Sequence, residues 1–133
     1  MLGGALRQTG LVAASAIYAL ENHVDRLQED HDNARELARQ LSALDGVTSS
    51  VEMTESNLVF FEIDAELGTA VQLSAALAER GVRIGPMGGQ RLRAATHLDV
   101  TADDIRTTAD AVKDCIAAGF TEQALIGSGP YSK

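Results

Sequence analysis

The chain has 133 residues, a length that suits one domain, and its 45% hydrophobic and 23% charged residues suit a packed globule rather than a disordered chain. Its formal net charge of −8 argues against binding to a nucleic-acid backbone, and no apolar run is long enough to span a membrane. The single cysteine, Cys115, excludes an internal disulfide and a cysteine-built zinc site. Together with the lack of a secretory signal pattern, it predicts a reducing, cytoplasmic location.

The first predicted element is a long helix over about residues 5–43, with a possible joint at Glu21-Asn22. Before the joint, small apolar residues recur every three or four positions and form a stripe: Leu6, Gly10, Ala13, Ala14, Ile17 and Leu20. After the joint the apolar stripe continues with Val24, Leu27, His31, Ala34, Ala38 and Leu41. The opposite face of this second part has charges typical of a solvated surface: Asp25, Arg26, Glu29, Asp32, Glu36 and Arg39.

Residues 47–118 are predicted to form shorter strands and helices. We predict strands over 47–52 and 58–63, a helix over 69–80, a short strand over 82–84, a glycine-rich loop over 85–89 and its hairpin partner over 90–95. Thr101 and Asp104 predict a capping box for a last helix over 102–118. This order favours an α+β fold, in which a small antiparallel sheet is covered by helices on one face. Residues 1–119 form the predicted domain, and residues 120–133 an irregular tail.

The histidines and the cysteine predict structural roles. His23 and His31 are eight residues apart, which is not the four-residue spacing of a helical metal-ligand pair, so no metal site is predicted. Each of the two is expected to make a structural hydrogen bond. His97 is expected to orient the turn before the last helix, and Cys115 to be a small buried thiol.

Two arginines stand apart from the surface charges. Arg7 follows Gly3-Gly4 in the first turn of a helix, where a cation is unfavourable for the helix dipole, so an anion or a packing partner is expected. Arg93 lies in the middle of a strand, where a guanidinium can grip a carboxylate or phosphate through two parallel bonds. An internal salt bridge with one of the 19 acidic residues is the alternative interpretation for Arg93.

Three segments of the chain resemble one enzyme family. Residues 1–10 (MLGGALRQTG) resemble the stretch after the cofactor lysine of L-threonine aldolases, and residues 22–31 resemble the helix that follows it. Residues 93–100 (RAATHLDV) and 103–105 resemble the arginine-any-valine-threonine-histidine motif and the last helix of that family. The resemblance covers about residues 1–118, in the right order and spacing.

The resemblance implies the C-terminal small domain of a pyridoxal 5'-phosphate enzyme of the aspartate-aminotransferase fold type, in the β-eliminating lyase and threonine aldolase group. Such enzymes cleave threonine or allo-threonine to glycine and acetaldehyde. By motif position, Arg93 resembles the arginine that binds the substrate α-carboxylate, supported by Thr96 and His97. Arg7, presented by Gly3 and Gly4, resembles the arginine that reaches the cofactor phosphate of a neighbouring subunit, which implies a homodimer or homotetramer.

One departure from the family concerns lysine. No lysine precedes Lys113, so the residue that holds the cofactor is expected upstream of Met1, in a large domain, and no catalytic residue is predicted within this chain. The chain alone is therefore expected to be inactive, as a fragment or as a subunit that needs a partner. The alternatives are the small domain of a related lyase or aminotransferase, and a stand-alone interaction or regulatory module.

Overall fold

The computed structural model describes residues 7–119, which begin with two helices. Helix α1 spans Thr9–Asn22 and helix α2 spans Leu27–Ser42, so the predicted joint is present. The predicted start of α1 at residue 5, Gly3, Gly4 and the tail 120–133 lie outside the described residues. Arg7 precedes α1 in a turn, rather than lying within the first helical turn as predicted.

Four short strands form one antiparallel sheet. They are β1 (Val47–Ser49), β2 (Leu58–Ile63), β3 (Gly85–Gly88) and β4 (Arg91–Ala95), and their spatial order is β1-β2-β4-β3. The prediction of β2 is confirmed to the residue. Strand β1 is shorter than predicted, because the chain turns at residues 50–54, where the Thr54 hydroxyl donates to the Ser50 carbonyl at 2.8 Å.

The prediction of a strand at 82–84 followed by a loop at 85–89 is wrong. The Val82 amide donates to the Leu77 carbonyl, so residues 82–84 leave the preceding helix as a connection. Gly85 and Pro86 instead pair with Arg93 and Leu92, and Gly88 pairs with Arg91. The turn falls at Gly89 and Gln90, and Gly88 and Gly89 have positive φ. The hairpin is confirmed, but its first strand begins three residues later than predicted.

Two further helices begin at capping boxes, of which the one at α4 was predicted. Helix α3 spans Ala70–Glu79 and helix α4 spans Ala102–Ala118. In α4, Thr101 Oγ1 accepts from the Asp104 amide, while the Asp104 carboxylate accepts from the Thr101 amide at 2.8 Å. The capping box predicted for α4 is therefore confirmed, and Thr69 with Gln72 forms a second one at α3.

Helices α2, α3 and α4 bury one face of the sheet. Helix α2 packs on β1 and β2, α3 packs on β3 and β4, and α4 packs against both α2 and α3. The largest fully buried side chains come from all of these layers: Phe61, Leu37, Leu41, Leu73, Leu77, Leu92 and Ile105. The predicted α+β class is confirmed.

Helix α1 takes no part in this core. None of its residues is buried, and its large apolar side chains are exposed: Leu11, Val12, Ile17, Tyr18 and Leu20. The continuation of the stripe into α2 was predicted to begin at Val24 and Leu27, and this is wrong, since both are exposed. Burial begins only at Asp30, because α2 reaches the core from there onwards.

The capping box of α4 yields the first testable prediction. Thr101→Ala removes the hydroxyl that satisfies an otherwise unpaired amide, and is expected to lower the free energy of unfolding by about 1 kcal/mol. Thr101→Ser keeps that hydroxyl and is the matched control. The comparison requires chemical denaturation of the three proteins; equal losses for Ala and Ser would contradict the role of the hydroxyl.

Candidate functional site

The face of the sheet that the helices leave open carries the candidate functional residues. Side chains alternate across a strand, so the burial of Val59, Phe61, Leu92 and Ala94 turns their neighbours to the other face. Four of these neighbours are large or charged and exposed: Phe60, Glu62, Arg91 and Arg93.

Arg93 lies at the centre of this open face. Its strand β4 has a neighbour on each side, and Arg93 pairs in register with Phe60 of β2 and with Gly85 of β3. Its side chain is exposed and makes no ion pair with any acidic residue among residues 7–119. The internal salt bridge that was the alternative interpretation is therefore not found in the described part of the chain. The guanidinium of Arg93 can therefore bind a carboxylate without first breaking an ion pair to another of residues 7–119.

Arg91 is a second arginine on the same face, which sequence reasoning did not single out. Its guanidinium carbon lies 5.1 Å from the centroid of the Phe60 ring, within the range of a cation–π contact. Glu62 is opposite Arg91 in the β2–β4 register. The spacing of Arg91 and Arg93 by two residues on a strand was the signal that would have placed both on one face.

Behind the open face, Thr96 joins the end of β4 to the helical layer. The residue is 1% exposed, and its hydroxyl donates to the Asp30 carbonyl of α2 at 2.6 Å. Its amide donates to the Asn57 carbonyl at 2.9 Å, and the Asn57 side-chain amide donates to the Thr96 carbonyl at 2.7 Å. The hydroxyl, amide and carbonyl of Thr96 therefore link the end of β4 to α2 and to the residue that precedes β2. Asn57 was missed by sequence reasoning.

The Asp30 carboxylate that lies beside this link is held by a bidentate ion pair. Arg26 donates to both carboxylate oxygens of Asp30, at 2.7 and 3.2 Å. These hydrogen bonds are the main reason that the pKa of Arg26 is raised. Arg26 was predicted to lie on a solvated face, which is wrong: only 19% of its side chain is exposed. Asp30 lies four residues after Arg26, which is the spacing of a helical ion pair, and four residues before the inward-facing Ala34. Together these two spacings could have revealed the half-buried pair.

His97 follows Thr96 and has the turn-orienting contacts that were predicted. The Asp99 amide donates to His97 Nδ1 at 3.3 Å, and the Val100 amide donates to the His97 carbonyl at 2.8 Å. The imidazole is exposed. His97 therefore shapes the connection between β4 and α4.

Within residues 7–119, the rings of the other two histidines have no partner for the hydrogen bonds predicted for them. The His23 ring packs edge-on against Tyr18, with centroids 5.6 Å apart, and its buried Nδ1 has no hydrogen-bond partner among residues 7–119. His31 is half-buried on α2, and its ring forms no hydrogen bond within that same range. Cys115 is buried as predicted, and this burial raises the pKa of its thiol.

Positions for a cofactor are limited in the described part of the chain. Its one lysine, Lys113, is exposed on α4, away from the open sheet face. Arg7 is exposed just before α1 and forms no ion pair with residues 7–119, so no acidic side chain in that range occupies its guanidinium. Within those residues, no group of three or more histidine, cysteine or acidic side chains is placed to hold a metal ion. Nor is any helix there both long and apolar enough to cross a membrane.

Comparison with known proteins identifies relatives of the chain. Residues 1–64 match the family model described as Beta-eliminating lyase. The low-specificity L-threonine aldolase 1 of Arabidopsis thaliana is 33% identical over 108 residues, and the low specificity L-threonine aldolase of Escherichia coli K12 is 38% identical over 109 residues. These matches cover 80% and 82% of this chain. The predicted resemblance to threonine aldolases is confirmed.

The same matches cover 30% and 31% of the two curated relatives. The chain thus spans about 30% of the length of the threonine aldolases that it matches.

Solved structures share the fold at low sequence identity. The structure of MppP soaked with the product 2-ketoarginine has a TM-score of 0.58 and 15% identity, and it is matched over 74% of this chain and 30% of its own. An aminotransferase, TlmJ from Streptoalloteichus hindustanus, has a TM-score of 0.56 and 18% identity, with coverage of 69% and 32%. These likenesses concern the fold alone, and they are consistent with the predicted aspartate-aminotransferase fold type.

Proposed function

We propose that this relative of the β-eliminating lyases is the C-terminal small domain of a pyridoxal 5'-phosphate-dependent aldolase, which cleaves threonine or allo-threonine to glycine and acetaldehyde. The observation that carries the proposal is Arg93, exposed on the open sheet face with no acidic partner among residues 7–119, at the motif position of a substrate-binding arginine. Identities of 33–38% to curated aldolases support this reaction over that of an aminotransferase, since the structural neighbours are only 15–18% identical.

In this proposal Arg93 holds the α-carboxylate of the amino acid. A guanidinium donates two parallel N–H bonds to a carboxylate, which fixes the orientation of the substrate as well as its position. Orientation matters because the bond to be cleaved must align with the electron-accepting ring. Pyridoxal 5'-phosphate, when bound to the complete enzyme, supplies that electron sink.

The described residues fit only part of such a cofactor site. Lys113 on the exposed face of α4 is not placed to attach a cofactor beside Arg93, so the attaching lysine belongs to the large domain in this proposal. Arg7, with Gly3 and Gly4 before it, is proposed to reach the cofactor phosphate of a neighbouring subunit. Its exposure and lack of an acidic partner within residues 7–119 support this role.

The apolar surface of α1 supports a further part of the proposal, namely that the domain is covered by other protein. Five large apolar side chains of α1 are exposed, and Leu11 and Leu20 are 73% and 69% exposed. Exposed apolar patches of this kind mark interaction surfaces. The proposed partners are the large domain and a second copy of the chain, in a homodimer or homotetramer.

Replacing Arg93 tests the proposed substrate contact. In the complete enzyme, Arg93→Lys is expected to raise KM for threonine roughly tenfold or more and to lower kcat, because an ammonium cannot reproduce two parallel bonds. Arg91→Lys, on the same strand and face, is the matched control and is expected to change KM far less. Acetaldehyde release from threonine is the measurement. Unchanged kinetics in Arg93→Lys would contradict the assignment.

The third prediction concerns the cofactor. The isolated chain is expected to form no borohydride-trappable adduct with pyridoxal 5'-phosphate at a specific lysine, because no lysine lies near Arg93 in the described residues. Mass spectrometry after reduction is the measurement. A single stoichiometric adduct on Lys113 or Lys133 would refute this prediction.

The fourth prediction concerns assembly of the isolated chain through α1. The stripe of Gly10, Ala13, Ala14 and Ile17 allows close helix contact, so Ala14→Glu is expected to dissociate the oligomer without loss of helical content. Ala19→Glu places the same charge on the opposite side of α1 and should leave more of the oligomer intact. Sedimentation velocity and circular dichroism are the measurements. A monomeric unmodified chain at roughly 50 μM would contradict self-association.

A further inference from the structure

The placement of Arg93 depends on more than its own strand pairing. Beyond Arg93, β4 has only Ala94 and Ala95 before it ends, and Thr96 is the first residue after the strand. Ala94 is buried and Ala95 exposed, so the alternation turns Thr96 inward, towards α2, and Arg93 outward. The two side chains thus lie on opposite faces of one extended segment, three residues apart.

The bonds of Thr96 attach the end of this segment to the helical layer and to the start of β2. The hydroxyl donates to the Asp30 carbonyl at 2.6 Å, and this bond crosses from the sheet layer to α2. Asn57 grips both the amide and the carbonyl of Thr96, at 2.9 and 2.7 Å, which closes the β2–β4 pairing next to Leu58 and Ala95. Buried hydrogen bonds of this kind are costly to leave unmade.

The acceptor is itself held in place. Asp30 is 4% exposed, and its carboxylate is gripped by both terminal nitrogens of Arg26, at the first turn of α2. Asn33, one turn further along, donates to the Val100 carbonyl at 3.1 Å, on the far side of the loop that contains Thr96. The start of α2 is therefore bonded to both ends of the loop from Thr96 to Val100.

We infer that Thr96 is a positioning residue for Arg93. Its hydroxyl bond to Asp30 fixes the position of β4 relative to α2, and so directs the Arg93 guanidinium to the substrate carboxylate. The inference rests on the proposed function for its substrate. Thr96 touches no substrate itself; it acts through the backbone of residues 93–96. If Thr96 only filled space, valine, which has nearly the same shape but no hydroxyl, would serve equally well.

The test is a double-mutant cycle in the complete enzyme. Thr96→Val keeps the shape of the side chain and removes its hydroxyl; kcat/KM for threonine is expected to fall about tenfold, mainly through KM. Thr96→Ser is expected to restore most of this loss. In an Arg93→Lys background, Thr96→Val is expected to cost less than about twofold, because the positioned group is already gone.

The control is Thr107→Val. Thr107 also donates its hydroxyl to a backbone carbonyl, that of Asp103 at 3.0 Å, but on the exposed surface of α4. This variant should leave KM unchanged. Equal losses from Thr96→Val in the wild-type and Arg93→Lys backgrounds, or no rise in KM, would overturn the inference. Should Thr96→Val fail to fold, Thr96→Cys replaces it in the cycle, since it keeps a small side chain and exchanges the hydroxyl for a weak S–H donor.

A second readout separates this inference from the proposed function. In the chain itself, Thr96→Val is expected to speed amide hydrogen exchange about tenfold at residues 93–96, and Thr96→Ser much less. Exchange in β1 is the internal reference. Unchanged exchange at residues 93–96 would overturn the inference even if the enzyme cleaves threonine. A complete enzyme that does not cleave threonine would instead refute the proposed function, and the exchange measurement would still decide whether Thr96 holds β4.

Discussion

Strand β4 is the element on which the arrangement of this domain depends, because its two faces serve different purposes. Leu92 and Ala94 complete the core beneath the helices, and Arg91 and Arg93 point away from it. A shift of one residue in the pairing with β2 would bury the arginines and expose the core residues. The hydrophobic effect thus directs the charged face outward, without any bond to the arginines themselves.

Elements with strong local signals were predictable from the sequence. The run Leu58–Ile63 has the composition of a strand, and Thr101 with Asp104 is a complete capping signal, so β2 and α4 begin and end where expected. The position of Arg93 within a strand was predictable for the same reason, because apolar neighbours on β4 mark the buried face. These features depend on residues that are close together in the chain.

Features that depend on distant residues were not predictable in this way. Gly85–Gly88 has a low intrinsic preference for strand structure, and it becomes β3 because β4 offers it paired hydrogen bonds. The Asp30 carbonyl accepts from Thr96, which lies 66 positions away. The exposure of Val24 and Leu27 depends on where α2 meets the sheet. In each case the deciding partner is supplied by the fold rather than by the local sequence.

The charges around Arg93 give meaning to its lack of an ion pair with residues 7–119. The chain has 19 acidic and 11 basic residues, and most of its ion pairs in the described part are short-range pairs along α2 and α4. Glu62 is the acidic residue of β2 on the open face, and it is opposite Arg91 rather than Arg93. Arg93 pairs instead with Phe60 and Gly85, neither of which can accept an ion pair through its side chain. Under the proposed function, a carboxylate that binds Arg93 would therefore displace no acidic side chain of residues 7–119, so more of the interaction energy would remain for binding and orientation.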